Sequence, residues 1–369
     1  MVAIVLAACG TQVADPSRSR QPVSSLPGTS AKPTGSAGPS SSAPSAPAST
    51  APASTAPAST APAATGAATT VALRVREFDV PAGSHPHDVS PAADGGIWYT
   101  GQRSGVLGHL DPVSGTIREI PLGSGSAPHG VITGPDDAAW ITDSGLNAIV
   151  RVDPATDAVR VFRLPADRPG ANLNSAVFDS SGTLWFTGQA GVYGSLDPDS
   201  GEIRVFDAPE GRGPYGIAAT PAGEIWYASL AGSHIARIDP ATGAATVVEP
   251  ATPDQGARRV WADSTGRIWV SEWDAGQVSV HDPVAGAWRE WRLPGDDPMA
   301  YAVFVDDRDI VWLTDFGGNA IVRFDPTTET FISIALPSAG AAVRQLHGRP
   351  GEVWGAASGA DRLVIVTGG

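Results

Sequence analysis

The sequence is poor in cysteine, in basic residues and in long apolar runs. Its single cysteine, Cys9, excludes a disulfide framework and any cysteine-based zinc site. No apolar run approaches the roughly 20 residues that a membrane-spanning helix requires. With 24 basic residues against 38 acidic ones, the formal net charge is −14. This charge argues against a nucleic-acid partner, because binding phosphates requires a basic surface.

The first nine residues form a short apolar segment that ends in the lone cysteine. The stretch Leu6-Ala7-Ala8-Cys9 resembles the lipobox of bacterial lipoproteins, which implies acylation of the Cys9 thiol and removal of the peptide before it. A signal peptide needs a basic residue before the apolar run and none is present, so we expect the true start to lie upstream of Met1. We therefore predict an extracytoplasmic protein that is secreted or held at the cell membrane only through a lipid anchor.

The next segment, residues 10–70, consists mostly of Ser, Pro, Ala, Thr and Gly. The pentapeptide Ala-Pro-Ala-Ser-Thr occurs three times in succession over residues 46–60. Such a segment cannot bury enough apolar surface to offset the entropy of ordering, so we predict a disordered linker. The sequence thus divides into a signal remnant at 1–9, a linker at 10–70 and one folded domain at 71–369.

A tryptophan recurs after residue 70 at intervals of 41 to 45 residues. Its seven positions are Trp98, Trp140, Trp185, Trp226, Trp269, Trp312 and Trp354. Each lies in a short run that alternates apolar and polar residues, and in six units an Asp-Pro turn follows the next alternating run. Four short strands in each of seven units predict an all-β, seven-bladed β-propeller.

The ends of the array predict how the ring closes. After Trp354 the seventh unit has room for one more strand, Asp361–Thr367, and Val71–Pro81 matches the outer strand that this unit lacks. Pairing these two segments closes the ring without an exposed sheet edge. We interpret the seven tryptophans as packing anchors between blades.

The repeat also places one residue of each unit at one mouth of the central channel. The start of the inner strand, ten or eleven residues before each tryptophan, holds His87, His129, Asn174, Tyr215, Arg258, Tyr301 and Arg344. Loops at a propeller mouth commonly carry function. We predict that His87 and His129 are catalytic, and that the mouth is lined by Asn174, Tyr215, Arg258 and Tyr301.

Acidic residues follow 14 positions after several of these residues, where an antiparallel hairpin would place them directly opposite. This spacing predicts that Asp143 faces His129 and that Glu272 forms an ion pair with Arg258. Two imidazoles beside a carboxylate suit proton abstraction or metal binding, and a structural role for the group stays equally open.

Several stretches of the repeat share a distinctive motif. Pro-His-Gly at 128–130 leads to Trp-x-Thr-Asp at 140–143, and Asn-Ala-Ile-Val-Arg-Val-Asp-Pro follows at 147–154. Related forms occur at 213–217 and 319–326. Over residues 71–369 these motifs resemble the virginiamycin B lyase, or streptogramin lyase, family. The resemblance implies a seven-bladed propeller that opens the ester of a type B streptogramin, a cyclic depsipeptide, by elimination assisted by Mg²⁺.

The family's catalytic pattern maps onto this sequence in part. His87 and His129 match the two histidines of the pattern, and Asp143 stands where it has its second glutamate. Ala127 replaces the first glutamate, and Asn174 replaces a tyrosine. The resemblance therefore implies that His129 acts as the base, that His87 handles a second proton or donates to the oxyanion, and that Asp143 holds Mg²⁺ directly or through water.

Two other functions remain open from the sequence. The first is a non-catalytic propeller displayed at the cell surface, which binds a small molecule, a peptide, a protein or an envelope glycan at the channel mouth. The second is a lactone hydrolase of the gluconolactonase type, which Asn174 and Asp143 alone support. We expect a monomer in each case, because a closed propeller has little sheet edge to share.

Overall fold

A computed structural model of the chain describes residues 72–368. Over this range the chain forms 28 strands in seven four-stranded antiparallel sheets, which confirms the predicted seven-bladed β-propeller. Within the same range no helix is long and apolar enough to cross a bilayer. The predicted signal remnant, with Cys9, and the predicted linker lie outside the described residues.

The first four blades each consist of four strands that are consecutive in the chain. Strand β1 is Arg74–Asp79. Blade 1 comprises β2 Pro86–Pro91, β3 Ile97–Gly101, β4 Val106–Leu110 and β5 Ile117–Pro121. Blade 2 comprises β6 Pro128–Thr133, β7 Ala139–Asp143, β8 Ala148–Val152 and β9 Val159–Arg163. Blade 3 comprises β10 Leu173–Phe178, β11 Leu184–Gly188, β12 Val192–Leu196 and β13 Ile203–Asp207. Blade 4 comprises β14 Pro214–Ala219, β15 Ile225–Ser229, β16 His234–Ile238 and β17 Ala245–Val248.

The last three blades complete the ring. Blade 5 comprises β18 Ala257–Ala262, β19 Ile268–Glu272, β20 Gln277–Asp282 and β21 Ala287–Arg292. Blade 6 comprises β22 Ala300–Val305, β23 Val311–Asp315, β24 Ala320–Asp325 and β25 Thr330–Ala335. Blade 7 comprises β26 Val343–Arg349, β27 Glu352–Ala357 and β28 Arg362–Thr367, and its outer strand is β1, which pairs antiparallel with β28. The predicted closure between the two ends of the domain is therefore confirmed.

Apolar side chains of adjacent blades pack together at every blade interface. Seven buried clusters connect the seven neighbouring pairs of blades, including blade 7 with blade 1. The repeated tryptophans are buried, and six donate an indole N–H to an Asp or Glu that lies a few residues earlier in the chain, as Trp269 does to Asp263 at 3.0 Å. They serve as the predicted packing anchors.

Every inner strand carries a one-residue β-bulge near its start. In blade 2, Pro128 pairs with Asp143, whereas further along Gly130 pairs with Thr142, so His129 is the extra residue. The same shift occurs in the other six blades. A bulge leaves the extra residue outside the ladder and changes the direction of its side chain. The bulges therefore determine the direction of these side chains at the end of the channel.

A hydroxyl on the second strand stabilises the bulge in five blades. Thr100, Thr142, Thr187, Ser271 and Thr314 each accept a hydrogen bond from the backbone N–H one residue after the extra residue. Thr142 also donates to the carbonyl of Asn174 in the next blade, at 2.5 Å. Because the hydroxyls of Thr100, Thr187 and Ser271 make the same link, they join the bulge of one blade to that of its neighbour.

Candidate functional site

The extra residues of the bulges converge at one end of the channel. We call them the channel ring: His87, His129, Asn174, Tyr215, Arg258, Tyr301 and Arg344. Contacts between blades join them, including a 2.6 Å hydrogen bond between the hydroxyls of Tyr215 and Tyr301. The structure thus brings the predicted mouth residues together, although their catalytic and binding roles stay predictions.

Two histidines of the ring lie in direct contact. The ring centroids of His87 and His129 are 3.6 Å apart, and both side chains are buried. Burial and the nearby guanidinium groups of Arg344 and Arg259 hold the pKa of His87 well below its usual value. Burial and the adjacent His87 do the same for the pKa of His129. Both imidazoles are therefore neutral at neutral pH.

A carboxylate next to the pair fixes the orientation of His87. Asp88 Oδ1 lies 2.8 Å from His87 Nδ1, so Nδ1–H donates and the lone pair of the neutral ring is on Nε2. On the other side, Asn174 Nδ2 lies 3.1 Å from His129 Nε2 and donates to it. The neutral His129 ring then carries its proton on Nδ1, which has no partner among the described residues. His87 can therefore accept a hydrogen bond at Nε2, whereas His129 can donate one from Nδ1.

Asp88 also forms a buried ion pair across the channel. Arg259 of blade 5 donates to both carboxylate oxygens, at 2.8 and 3.2 Å, and to Ser175 Oγ of blade 3 at 3.1 Å. Ser175 in turn donates to Asn174, which completes a circuit back to His129. Burial raises the pKa of Asp88, while Arg259 opposes that shift. We call this network the polar circuit: Asp88, Arg259, Ser175, Asn174 and His129. It spans the channel.

The opposite side of the ring is cationic and aromatic. The guanidinium of Arg258 lies 3.6 Å from the ring centroid of Tyr301, and its Nη2 donates to Tyr215 Oη at 3.3 Å. Arg344 Nη1 donates to Tyr301 Oη at 3.4 Å. Burial alone would raise the pKa of Tyr301, but Arg258, Arg344 and Arg259 together lower it to about 8.

Beyond the polar circuit the channel continues as a cavity of about 280 Å³. Asp88, Ser175 and Arg259 contribute polar groups to its lining, which otherwise includes apolar side chains such as Val131 and Leu346. No residue of the channel ring lines it. The polar circuit therefore separates the predicted mouth from this cavity.

Asp143 does not face His129 as the 14-residue spacing predicts. The bulge shifts the register, so that Asp143 pairs with Pro128. Its carboxylate accepts hydrogen bonds from Ser126 Oγ and from the backbone N–H groups of Ala127 and Leu146, at 2.5 to 3.0 Å. These bonds hold the loops at this end of blade 2.

The predicted ion pair of Arg258 with Glu272 is likewise not formed, and the two residues that supported a lactone hydrolase, Asn174 and Asp143, bind separate partners. Glu272 pairs in register with Ala257 instead and accepts hydrogen bonds from Gln277 and Ser279. Asn174 contacts His129 and Ser175. The lactone hydrolase alternative therefore loses its only support.

The Mg²⁺ ion that the family resemblance implies is a poor fit to these side chains. Mg²⁺ prefers several oxygen ligands in an octahedral arrangement. Ala127 offers no side-chain oxygen, and the carboxylate of Asp143 is occupied by loop hydrogen bonds. Among residues 72–368, one group of His and acidic side chains is close enough to share an ion, His87 with Asp88 and His129. Both oxygens of Asp88 already bind Arg259, so a cation there would have to displace a guanidinium.

Fold and site together define a seven-bladed β-propeller whose channel is closed at one level by a histidine pair and a buried ion pair. The chain belongs to the virginiamycin B lyase family, whose profile matches residues 59–283. No curated protein sequence matches the chain.

Solved structures agree with this fold. A streptogramin B lyase structure superposes with a TM-score of 0.73 at 21% identity, covering 80% of this chain and 98% of the other. Virginiamycin B lyase from Staphylococcus aureus gives a TM-score of 0.74 at 19% identity, covering 80% and 99%. YCF48 bound to D1 peptide gives 0.65 at 14% identity, covering 80% and 96%. At these identities the likeness shows the shared fold alone.

Proposed function

We propose that the protein is a carbon–oxygen lyase that opens the ester of a cyclic depsipeptide of the streptogramin B type by elimination. The observation that carries this proposal is the buried contact between two neutral imidazoles, His87 and His129, with Asp88 bonded to the first. Asp88 fixes the tautomer of His87, so a neutral imidazole with a free ring nitrogen is available to accept a proton.

The hydrogen bonds favour His87 rather than His129 as the base. Asp88 holds the proton of His87 on Nδ1, which leaves Nε2 to remove the α-proton of the residue whose side chain forms the ester. The electron pair of that C–H bond becomes the double bond between the α and β carbons. The bond from the β carbon to the ester oxygen breaks, and its electron pair leaves with the carboxylate. His129 Nδ1–H is then the donor available to the carbonyl oxygen on which negative charge develops.

Turnover and its dependence on the two imidazoles test the proposal. Incubation of the purified full chain with a type B streptogramin should give a linear product by mass spectrometry. His87→Ala and His129→Ala should each abolish opening, whereas His109→Ala, on the outer part of blade 1, should not. Mg²⁺ stays a prediction of the family resemblance, and parallel reactions with Mg²⁺ and with EDTA test it. An intact substrate with a folded wild-type protein would contradict the proposal.

A second candidate is the non-catalytic binding propeller. The burial of both imidazoles and the closed circuit of hydrogen bonds around them favour it, because the polar groups already satisfy one another. This candidate would place a small molecule or peptide at the channel mouth without turnover. Binding of the streptogramin to wild-type protein without any linear product would support it over the lyase.

We further propose that the domain is an extracytoplasmic monomer attached to the membrane through Cys9. The lipobox-like sequence and the Pro/Ser/Ala/Thr-rich segment after it support this location. Cell fractionation should find the wild-type protein with membranes and Cys9→Ala in the soluble extract. Light scattering of the released form should give the monomer mass. An unchanged distribution on substitution of Cys9 would contradict the anchor.

A further inference from the structure

One cation of the channel ring has no role in the proton transfer proposed above. Arg258 is 8% exposed, and its guanidinium lies among three aromatic rings. The ring centroids of Tyr301, Tyr215 and Trp273 are 3.6, 4.7 and 4.9 Å from it. Aromatic faces stabilise a cation and hold its plane in place. The charge is thus fixed in position across the channel ring from the histidine pair.

In the described part of the chain, no acidic side chain pairs with this buried cation. Among the ion pairs within residues 72–368 none involves Arg258, and its Nε–H is buried without a hydrogen-bond partner. Glu272, its predicted partner, is bound by Gln277 and Ser279, and burial raises the pKa of Glu272 to about 7. Charged groups are seldom buried without a partner of opposite charge, because desolvation is costly. An anion supplied by a ligand would complete the site.

The neighbouring phenol points to the same conclusion. Tyr301 Oη lies 2.6 Å from Tyr215 Oη and 3.4 Å from Arg344 Nη1, with the guanidinium of Arg258 over its ring. These cations lower its pKa, which means that negative charge is stabilised at this place. The environment therefore suits an anion and opposes a further cation.

We propose that Arg258 binds the carboxylate that leaves when the ester opens. The inference rests on the proposed lyase function, since that elimination expels the acyl part of the ester as a carboxylate. A guanidinium offers parallel N–H donors that match two carboxylate oxygens, and its charge stabilises the anion as the bond from carbon to oxygen breaks. Tyr215 connects the two parts of the site, because it contacts both the His129 ring and Arg258.

Binding of a simple carboxylic acid tests the proposed carboxylate site independently of ester opening. Isothermal titration calorimetry compares N-acetylphenylalanine with its uncharged amide, using wild-type protein and the His87→Ala variant. The acid should bind both proteins at least about tenfold more tightly than the amide, because the charge-assisted bond is lost in the amide. Arg258→Gln should remove this preference, Arg258→Lys should retain part of it, and Arg237→Gln, an exposed arginine of blade 4, should leave it unchanged.

Kinetics with the streptogramin then assign the role. Arg258→Gln should lower kcat by about 100-fold with a smaller change in KM, because the developing charge exists mainly in the transition state. Equal binding of acid and amide, or binding of inorganic phosphate as tight as that of the acid, would overturn the carboxylate site. Selective acid binding without any turnover would instead uphold the site and refute the lyase function.

Discussion

Replacing Asp88 with asparagine should destabilise the propeller far more than the loss of a surface ion pair. The Asp88 and Arg259 side chains are 4% and 7% exposed, and their pairing links blade 1 to blade 5 across the channel. Removing one partner of such a pair leaves a buried charge without compensation, which costs about 3 to 5 kcal/mol. We expect this loss in the free energy of unfolding of Asp88→Asn.

Urea denaturation of the full chain measures this effect, and an exposed pair provides the control. Arg289 and Glu329 also join neighbouring blades, but their side chains are 58% and 47% exposed. Glu329→Gln should therefore cost no more than about 1 kcal/mol. The double variant Asp88→Asn/Arg259→Gln should lose less than the sum of its single variants, because neither charge is then left alone.

The result that would refute this reasoning is a loss for Asp88→Asn no larger than that for Glu329→Gln. It would mean that Arg259 finds another partner or reaches water when the carboxylate is neutralised. The polar circuit would then not hold the channel closed, and the orientation of His87 would lack its main support.

Three further predictions concern pH, the bulges and ring closure. Burial lowers the pKa of His347 to about 4, whereas an unfolded histidine titrates near 6.5. The free energy of unfolding should therefore fall by about 3 kcal/mol as the pH decreases from 6.5 toward 4, because the unfolded state binds the proton first. His347→Gln should flatten this slope in unfolding measured as a function of pH. Thr142→Val removes the hydroxyl that links Gly130 to Asn174 and should cost about 1 to 3 kcal/mol in urea denaturation. Deletion of residues 72–80 leaves the edge of β28 unpaired and should cause aggregation, measured by light scattering, whereas retained monomer would contradict the closure.

The fold could be predicted because its signals are local and repeated. Each tryptophan lies in a short alternating run, and seven such runs at nearly constant spacing are compatible with few protein folds. Even the closure was evident, since the segment before the first repeat matches the outer strand that the last repeat lacks. Packing between blades then reuses the same apolar positions in every interface.

The site could be predicted only in part. Counting from each tryptophan identifies the channel ring but not the neighbouring Asp88 and Arg259, because adjacent side chains of a regular strand point to opposite faces. The bulge adds one residue that no alternating pattern reveals, which also moved Asp143 away from His129. A His-Asp pair at 87–88 and two adjacent arginines at 258–259 are the available signals in the sequence. That Asp88 pairs with Arg259 is evident only from the contact between blades 1 and 5.

The central claim is that this propeller opens an ester by elimination, with His87 as the base. Reaction of the full chain with a type B streptogramin in ¹⁸O-labelled water tests it most directly, because elimination takes no oxygen from the solvent. The claim predicts a linear product with the same mass as the substrate, a new carbon–carbon double bond, and none of this product with His87→Ala. Incorporation of ¹⁸O, or recovery of the cyclic substrate alone, would contradict it.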